Sequence, residues 1–76
     1  MMGKQLPITN NVRKLRESME SPMTQSELGA LVGVTRQTIA AIEKRHYSPS
    51  LETAFRIART FDLTVDAIFV WDDSGD

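Results

Sequence analysis

The chain of 76 residues contains no cysteine, a single histidine and no long apolar run. Without cysteine, disulfides and thiolate metal sites are excluded, so helix packing or a partner subunit must stabilise the fold. His46 has no nearby residues in the sequence that complete a metal site or a catalytic triad. No segment approaches the roughly 18 apolar residues of a membrane span, and the start lacks a signal core. These absences predict a cytoplasmic protein that is not an enzyme and uses no metal or cofactor.

Net charge is also small, at -1, but it is unevenly distributed. Residues 1–49 hold seven Lys or Arg against four Glu, whereas residues 50–76 hold two Arg against six acidic residues. This division suits a molecule with one end facing an anion and the other facing water or a second copy. A chain of this length supports one core, which makes dimerisation plausible from size alone.

The apolar residues recur at helical spacing and predict an all-α fold, with a strand conceivable only at residues 69–71. Asn10 or Asn11 caps the first predicted helix, and Ser50 or Pro49 starts the fourth. The five predicted helices are residues 10–20, 25–32, 36–44, 51–61 and 64–69. Thr24 with Glu27 forms a capping box, and Thr35 and Thr64 cap the third and fifth helices. The pattern also assigns Met19 and Met23 to the core, with an inward stripe of Leu51, Ala54, Phe55, Ala58 and Phe61 in the fourth helix.

The second and third predicted helices are joined by a very short turn. Gly33 fits a left-handed helix end, and Gly29 lies where the two backbones approach closest. Two helices joined in this way describe a helix-turn-helix. The polar residues at the start of the third helix then project from the domain.

The segments "MTQSEL", "GVTRQTIAAIEK", "YSPSLETAFRIARTF" and "LTVDAIF" resemble the xenobiotic-response-element family of bacterial and phage regulators, which are relatives of phage repressors and Cro. The resemblance implies a five-helix, lambda-repressor-like DNA-binding domain. We expect an N-terminal arm at residues 1–9, the helix-turn-helix domain at 10–70 and an acidic tail at 71–76. It also implies a sequence-specific transcriptional regulator that binds double-stranded DNA.

By this resemblance the third helix enters the major groove. Arg36 and Gln37 match base-reading positions, and their side chains can bond guanine and adenine edges respectively. Ala41 matches a third such position but offers only a methyl group. The predicted phosphate contacts are Gln25, Thr35, Thr38, Lys44, Arg45 and Tyr47, with His46 a further donor in the same loop. Arg45 stands where the family often has glycine, so it either has a strained backbone or lies in a different loop.

Arg16 and Glu43 match a structural ion pair that joins the first helix to the third in this family. We expect a homodimer formed through Ile68, Phe69 and Trp71, no small-molecule effector, and a solvating role for Asp72 and Asp73. The alternative function is an antitoxin-like or other protein-interaction module on the same fold. The sequence contains no Gly-rich phosphate loop and no nucleophile with a base, which argues against an enzyme.

Overall fold

The computed structural model describes residues 5–73. Within this range the chain forms five helices and a small two-stranded antiparallel sheet. The elements in chain order are β1 (Ile8–Asn10), α1 (Val12–Glu17), α2 (Gln25–Val32), α3 (Arg36–Glu43), α4 (Leu51–Thr60), α5 (Val65–Ile68) and β2 (Phe69–Trp71). The fold is therefore mostly helical, and the prediction of an all-α fold is wrong in this one respect.

The sheet joins the two ends of the described chain. Ile8 lies opposite Trp71, and Asn10 lies opposite Phe69. β2 is the segment in which the sequence allowed a strand, whereas β1 was not predicted because three residues are too few for an alternating pattern to show. The predicted arm and tail thus meet in one sheet, while residues 1–4 and 74–76 of those two segments lie outside the described residues.

Polar side chains cap three of the helices as the sequence predicts. At α2, Thr24 Oγ1 accepts from the Glu27 N–H at 3.0 Å while Glu27 Oε1 accepts from the Thr24 N–H at 2.8 Å, which completes the capping box. Thr35 and Ser50 each accept from the backbone N–H three residues on, at 3.1 Å. Thr64 occupies the N-cap of α5, but its side chain makes no capping hydrogen bond.

α1 lies within the segment 10–20 that the sequence assigned to it, whose end the long turn after it left open. Asn11 is its N-cap residue, but the Asn10 side chain accepts from the Val12 N–H at 3.1 Å. The helix ends at Glu17, so Met19 lies beyond it and is exposed, and the prediction that Met19 is a core residue is wrong. The chain leaves the helical path before the loop around residue 22, where proline cannot continue a helix.

One core collects apolar side chains from all five helices: Val12, Leu28, Val32, Ile39, Ile42, Ile57, Ala58 and Ile68. In α4 the inward face consists of Ala54, Ile57 and Ala58. Leu51 and Phe55, which the sequence assigned to that face, are 72% and 53% exposed. Because α4 buries only a narrow strip of mostly small residues, these two side chains fall outside the strip.

Candidate nucleic-acid interface

The turn between α2 and α3 is fixed by two glycines. A Cβ on Gly29 would lie 2.6 Å from the backbone oxygen of Val34, so no larger residue fits without movement. Gly33 has φ 84°, in the left-handed region that side chains rarely adopt. The Val34 N–H donates to the Gly29 carbonyl at 2.9 Å, which closes the turn. The angle between the two helices is therefore set by backbone contacts.

α3 presents one apolar face and one polar face. Ile39 and Ile42 are buried in the core. Arg36 and Gln37 lie in the first turn of the helix and are exposed, and their side chains have no hydrogen-bond partner within residues 5–73. Ala41 is half-buried one turn further along. The start of α3 thus presents to solvent two polar side chains whose hydrogen-bonding groups are not used within residues 5–73.

Thr35 and Thr38 stand beside these two residues but are already engaged with each other. Their hydroxyl oxygens are 3.0 Å apart, and Thr35 Oγ1 also accepts from the Thr38 N–H. Thr35 is exposed and Thr38 is half-buried. The pair orders the first turn of α3 and leaves hydroxyl lone pairs at its surface.

Arg16 and Glu43 are brought together by α1 and α3. Arg16 Nε and a terminal nitrogen donate to the two carboxylate oxygens of Glu43 at 2.6 and 2.9 Å. The other terminal nitrogen of Arg16 donates to the Met23 carbonyl at 2.9 Å. Both side chains are buried, and the hydrogen bond to Glu43 raises the pKa of Arg16 above its usual value. The pair therefore fixes α3 against α1 and against the loop that leads to α2.

Gln25, at the first position of α2, joins the same network. Its amide nitrogen donates to Glu43 Oε1 at 3.0 Å, which places the side chain beside the end of α3. One further N–H of that amide has no partner among the described residues. Gln25 is thus held in position and retains a donor.

Arg45, predicted as a phosphate contact, is half-buried and is engaged with other parts of the protein. Its backbone has φ 63°, in agreement with the strain expected at a site where the family has glycine. Its side chain donates to the Leu6 carbonyl at 2.7 and 3.1 Å and to Asp72 Oδ2 at 3.1 Å. Through these bonds, which use Nε and one terminal nitrogen, the arginine ties the arm and tail to the end of α3. Asp72 is correspondingly an ion-pair partner and not simply a solvated charge.

The remaining loop residues are open to solvent. Lys44, His46 and Tyr47 are exposed, and the Lys44 ammonium has no partner within residues 5–73. Lys44 follows directly after Glu43 and so lies at the C-terminal end of the polar face of α3. These side chains extend the polar surface from Arg36 to the end of the helix.

An apolar surface is formed by α4 and the sheet. Trp71 is 63% exposed, and Phe69 is half-buried in a groove of about 300 Å³ that Leu51 and Ile8 also line. Ile68, by contrast, is 1% exposed and belongs to the core, so the prediction that it contacts a second copy is not supported. Sequence reasoning missed Leu51 and Phe55 here because it placed them in the core.

Residues 5–73 contain no group of three or more His, Asp or Glu placed to hold a metal ion. In the same part of the chain, every helix falls short of the length and apolar character needed to cross a bilayer.

Among known protein families, the model described as helix-turn-helix matches residues 12–68 of this chain. An uncharacterized HTH-type transcriptional regulator of Methanothermobacter thermautotrophicus is 53% identical over 57 residues, which cover 74% of this chain and 83% of that protein. YgzD of Bacillus subtilis, named in the same way, is 45% identical over 60 residues, which cover 79% and 88%.

A solved structure, that of hydroxypropylphosphonic acid epoxidase from S. wedmorenis, superposes with a TM-score of 0.61 and 25% sequence identity. The match covers 80% of this chain but 34% of the epoxidase chain. The chain therefore spans about a third of that enzyme, and the likeness concerns that part of it.

Proposed function

Since the chain belongs to the helix-turn-helix family, whose model matches residues 12–68, we propose that it is a sequence-specific DNA-binding transcriptional regulator acting as a homodimer. The observation that carries this proposal is the start of α3. Arg36 and Gln37 are exposed there without protein partners, on a helix whose angle is fixed by the glycine turn and by the Arg16–Glu43 pair. A helix presented in this way fits the major groove of DNA.

The chemistry of these side chains suits base edges. Arg36 can donate two parallel hydrogen bonds to O6 and N7 of guanine, and Gln37 can pair with N6 and N7 of adenine. Each such contact discriminates by about 1–3 kcal/mol against the wrong base. Ala41 contributes at most a methyl contact to thymine. Sequence reading therefore rests mainly on the first turn of α3.

The phosphate contacts that we propose flank this helix. Gln25 retains a free donor at the start of α2, and Lys44 and Tyr47 lie exposed beyond the end of α3. Thr35 and Thr38 offer hydroxyl groups and sit where helix N-terminal N–H groups favour an anion. Such contacts set the register of the protein on the duplex. Arg45 is left out because two of its three guanidinium nitrogens already donate to Leu6 and Asp72.

Dimer formation through the apolar surface of α4 and β2 completes the proposal. A single module of this size contacts too little DNA for tight specificity, and two-fold dimers are the usual solution. Phe69 and Trp71 from the predicted interface remain available, and the exposed Leu51 and Phe55 extend the surface. Several large exposed apolar side chains beside an apolar groove are typical of a protein interface. The occupant that we propose is a second copy of this chain.

The DNA-binding test starts with selection from a pool of random duplexes. Binding of the selected duplex is then measured by fluorescence anisotropy in excess unrelated DNA, for the wild type and an Arg36→Ala, Gln37→Ala double variant. We expect the wild type to bind through the competitor and the variant to lose this selectivity while it remains folded by circular dichroism. Arg59→Ala, an exposed arginine on α4, is the control for loss of charge. If no duplex is enriched by the folded wild type, the proposal is wrong, and a search for a protein partner becomes the better course.

The oligomeric state is tested separately by sedimentation at micromolar concentration. We expect a dimer for the wild type and a shift toward monomer for Trp71→Ala and for Leu51→Glu, since both change exposed side chains outside the core. If sedimentation detects only the monomer, both with and without DNA, the homodimer is excluded from the proposal.

A further inference from the structure

A cleft of about 320 Å³ opens between α1, the start of α2 and the end of α3. Arg13 lines it from α1, Gln25 from α2, and Ala40 and Lys44 from α3 and its end. Two of these four residues, Gln25 and Lys44, are already proposed as phosphate contacts. The cleft therefore continues the proposed DNA-binding surface onto α1, an element to which neither the sequence nor the family resemblance assigned a contact with DNA.

Arg13 is one of two lining cations, with Lys44, that keep donors available to a ligand. Its side chain is 72% exposed, and its one hydrogen bond is from Nε to Glu17 Oε2 at 3.0 Å, one helical turn away. Its two terminal nitrogens have no partner within residues 5–73. An exposed intrahelical pair of this kind is weak and easily exchanged. A guanidinium in this state matches the paired oxygens of a phosphate.

Two further charges that line the cleft, those of Arg16 and Glu43, neutralise each other. Arg16 is occupied by Glu43 and the Met23 carbonyl, and Glu43 is in turn bound by Arg16 and Gln25. Arg13 and Lys44 therefore supply the positive charge that remains, and Glu17 is the acid that opposes it.

We propose that this cleft binds a backbone phosphate of DNA, held by Arg13 and Lys44, and that Glu17 competes with that phosphate for Arg13. The inference rests on the proposed function, since it adds a contact to the same interface. On binding, the Arg13 guanidinium leaves the Glu17 carboxylate for the phosphate oxygens. A carboxylate that holds Arg13 in the free protein thus weakens binding to every DNA sequence equally.

The first test is the salt dependence of binding for Arg13→Ala. Each phosphate contact contributes about 0.9 to the slope of log affinity against log salt. We expect the variant to lower the slope by roughly that amount per protomer and to weaken binding by the same factor on selected and unrelated duplexes. The matched control is Arg56→Ala, because Arg56 forms the same kind of exposed pair on α4, with Glu52 at 2.7 Å. This control should leave the slope unchanged.

The second test addresses the competing carboxylate by a double-mutant cycle. Glu17→Gln should strengthen DNA binding several-fold, and the gain should be much smaller in the Arg13→Ala background. Glu52→Gln on α4 is the control for removal of an acidic charge and should change affinity little. A gain from Glu17→Gln that is equally large with and without Arg13 would show simple charge repulsion and overturn the competition.

The outcomes separate this inference from the function on which it rests. If the wild type selects and binds DNA but folded Arg13→Ala keeps the wild-type slope, the phosphate site is overturned and the proposed function stands. If the folded wild type binds no DNA at any salt concentration, the proposed function fails and the site fails with it. If Arg13→Ala lowers affinity for the selected duplex only, Arg13 is a base reader and the phosphate assignment is wrong.

Discussion

Gly29, inside α2, and Gly33, at its C-terminal end, both constrain the turn into α3 but by different physical means. In an unhindered helix, Gly→Ala adds about 0.8–1 kcal/mol of stability. At Gly29 we expect the opposite sign, because the new Cβ would lie 2.6 Å from a backbone oxygen, and such overpacking costs about 1–3 kcal/mol. Gly33→Ala meets no atom within 4 Å and should lose about 1–2 kcal/mol through its backbone conformation alone.

Urea denaturation of both alanine variants gives the measurement. Arg36→Ala, which changes an exposed side chain in the same motif, is the control. A Gly29→Ala variant more stable than the wild type would contradict the close approach of the two backbones.

The buried pair of Arg16 and Glu43 predicts a strongly non-additive result. Arg16→Met or Glu43→Leu alone strands one buried charge, which should cost about 3–5 kcal/mol. The double variant should cost less than the sum, since it removes both charges together. Because the pKa of Arg16 is raised in the folded protein, its contribution to the free energy of unfolding is fully present at pH values below the usual arginine pKa. That contribution is lost only in strongly alkaline solution. The wild-type free energy of unfolding should accordingly show no loss from this arginine between neutral pH and pH of about 9.

Urea titrations of the wild type, both single variants and the double variant complete the cycle. Additive losses would mean that the pair does not act as a unit. The same four proteins also test function, because the Arg16–Glu43 pair positions α3 but is not proposed to contact a DNA base. The folded double variant should therefore bind DNA more weakly without a change in the sequence that it prefers.

The sequence predicts the roles of some individual residues but not of others. The family pattern locates Arg16, Glu43 and the first turn of α3, because those positions depend on local spacing. It could not reveal the bonds of Arg45, whose partners Leu6 and Asp72 are 39 and 27 residues away. A lone arginine in a loop looks the same in a sequence whether it faces a phosphate or its own chain.

At the scale of elements, the helix starts offer a matched comparison of caps. Thr24 carries a full capping box at α2, whereas Thr64 makes no side-chain capping bond at α5. Thr24→Ala should therefore lower the free energy of unfolding by about 1 kcal/mol, and Thr64→Ala should have a much smaller effect. Thermal and urea unfolding of the two variants measure the difference. Equal losses would contradict the assignment of the capping bonds.

The same elements show which helical features follow from sequence. α2 and α3 begin at threonine caps and α2 ends at Gly33, and the structure has these three boundaries where the local signals lie. α4 was located correctly but its buried face was not, since Leu51 and Phe55 point outward. Helical spacing identifies a stripe of apolar residues but not which part of that stripe a neighbour covers. That depends on where α2 and α5 pack against the helix.

At the scale of the whole molecule, Arg45 joins three distant parts of the chain. It binds the arm through Leu6 and the tail through Asp72, next to the sheet that pairs the same two segments. The Leu6 N–H donates to the Arg45 carbonyl, and the Asp72 N–H donates to the Pro7 carbonyl. We expect Arg45→Ala to speed hydrogen exchange at these two amides several-fold. The bonds that are lost involve a charged, mostly buried group and so stabilise the junction measurably.

Hydrogen exchange followed by NMR is the measurement, and the α4 amides serve as the internal reference. They should keep their wild-type rates, because Arg45 makes no side-chain bond to that helix among the described residues. Faster exchange throughout the protein would instead mean that Arg45 stabilises the whole fold and not this junction.

The sheet itself explains why the overall architecture was only partly predictable. Each strand has three residues, and their pairing brings together positions 59–63 residues apart. Neither strand has a local signal long enough to predict such a partner. The consequence for function is that the proposed dimer surface includes β2, and β2 is held in place by the arm at the other end of the described chain.

The proposed dimer makes a geometric prediction about DNA. If two copies pair through α4 and β2, their α3 helices meet successive major-groove faces about 34 Å apart. Selected duplexes should then be imperfect palindromes whose half-sites have centres about 10 bp apart. Inserting about 5 bp at the centre rotates one half-site to the opposite face of the duplex and should reduce affinity to that of a single half-site. Anisotropy with the two duplexes measures this, and a Trp71→Ala variant that is monomeric should barely distinguish them. Selected sites without two-fold symmetry, bound equally well with the insertion, would mean that the chain reads DNA as a monomer.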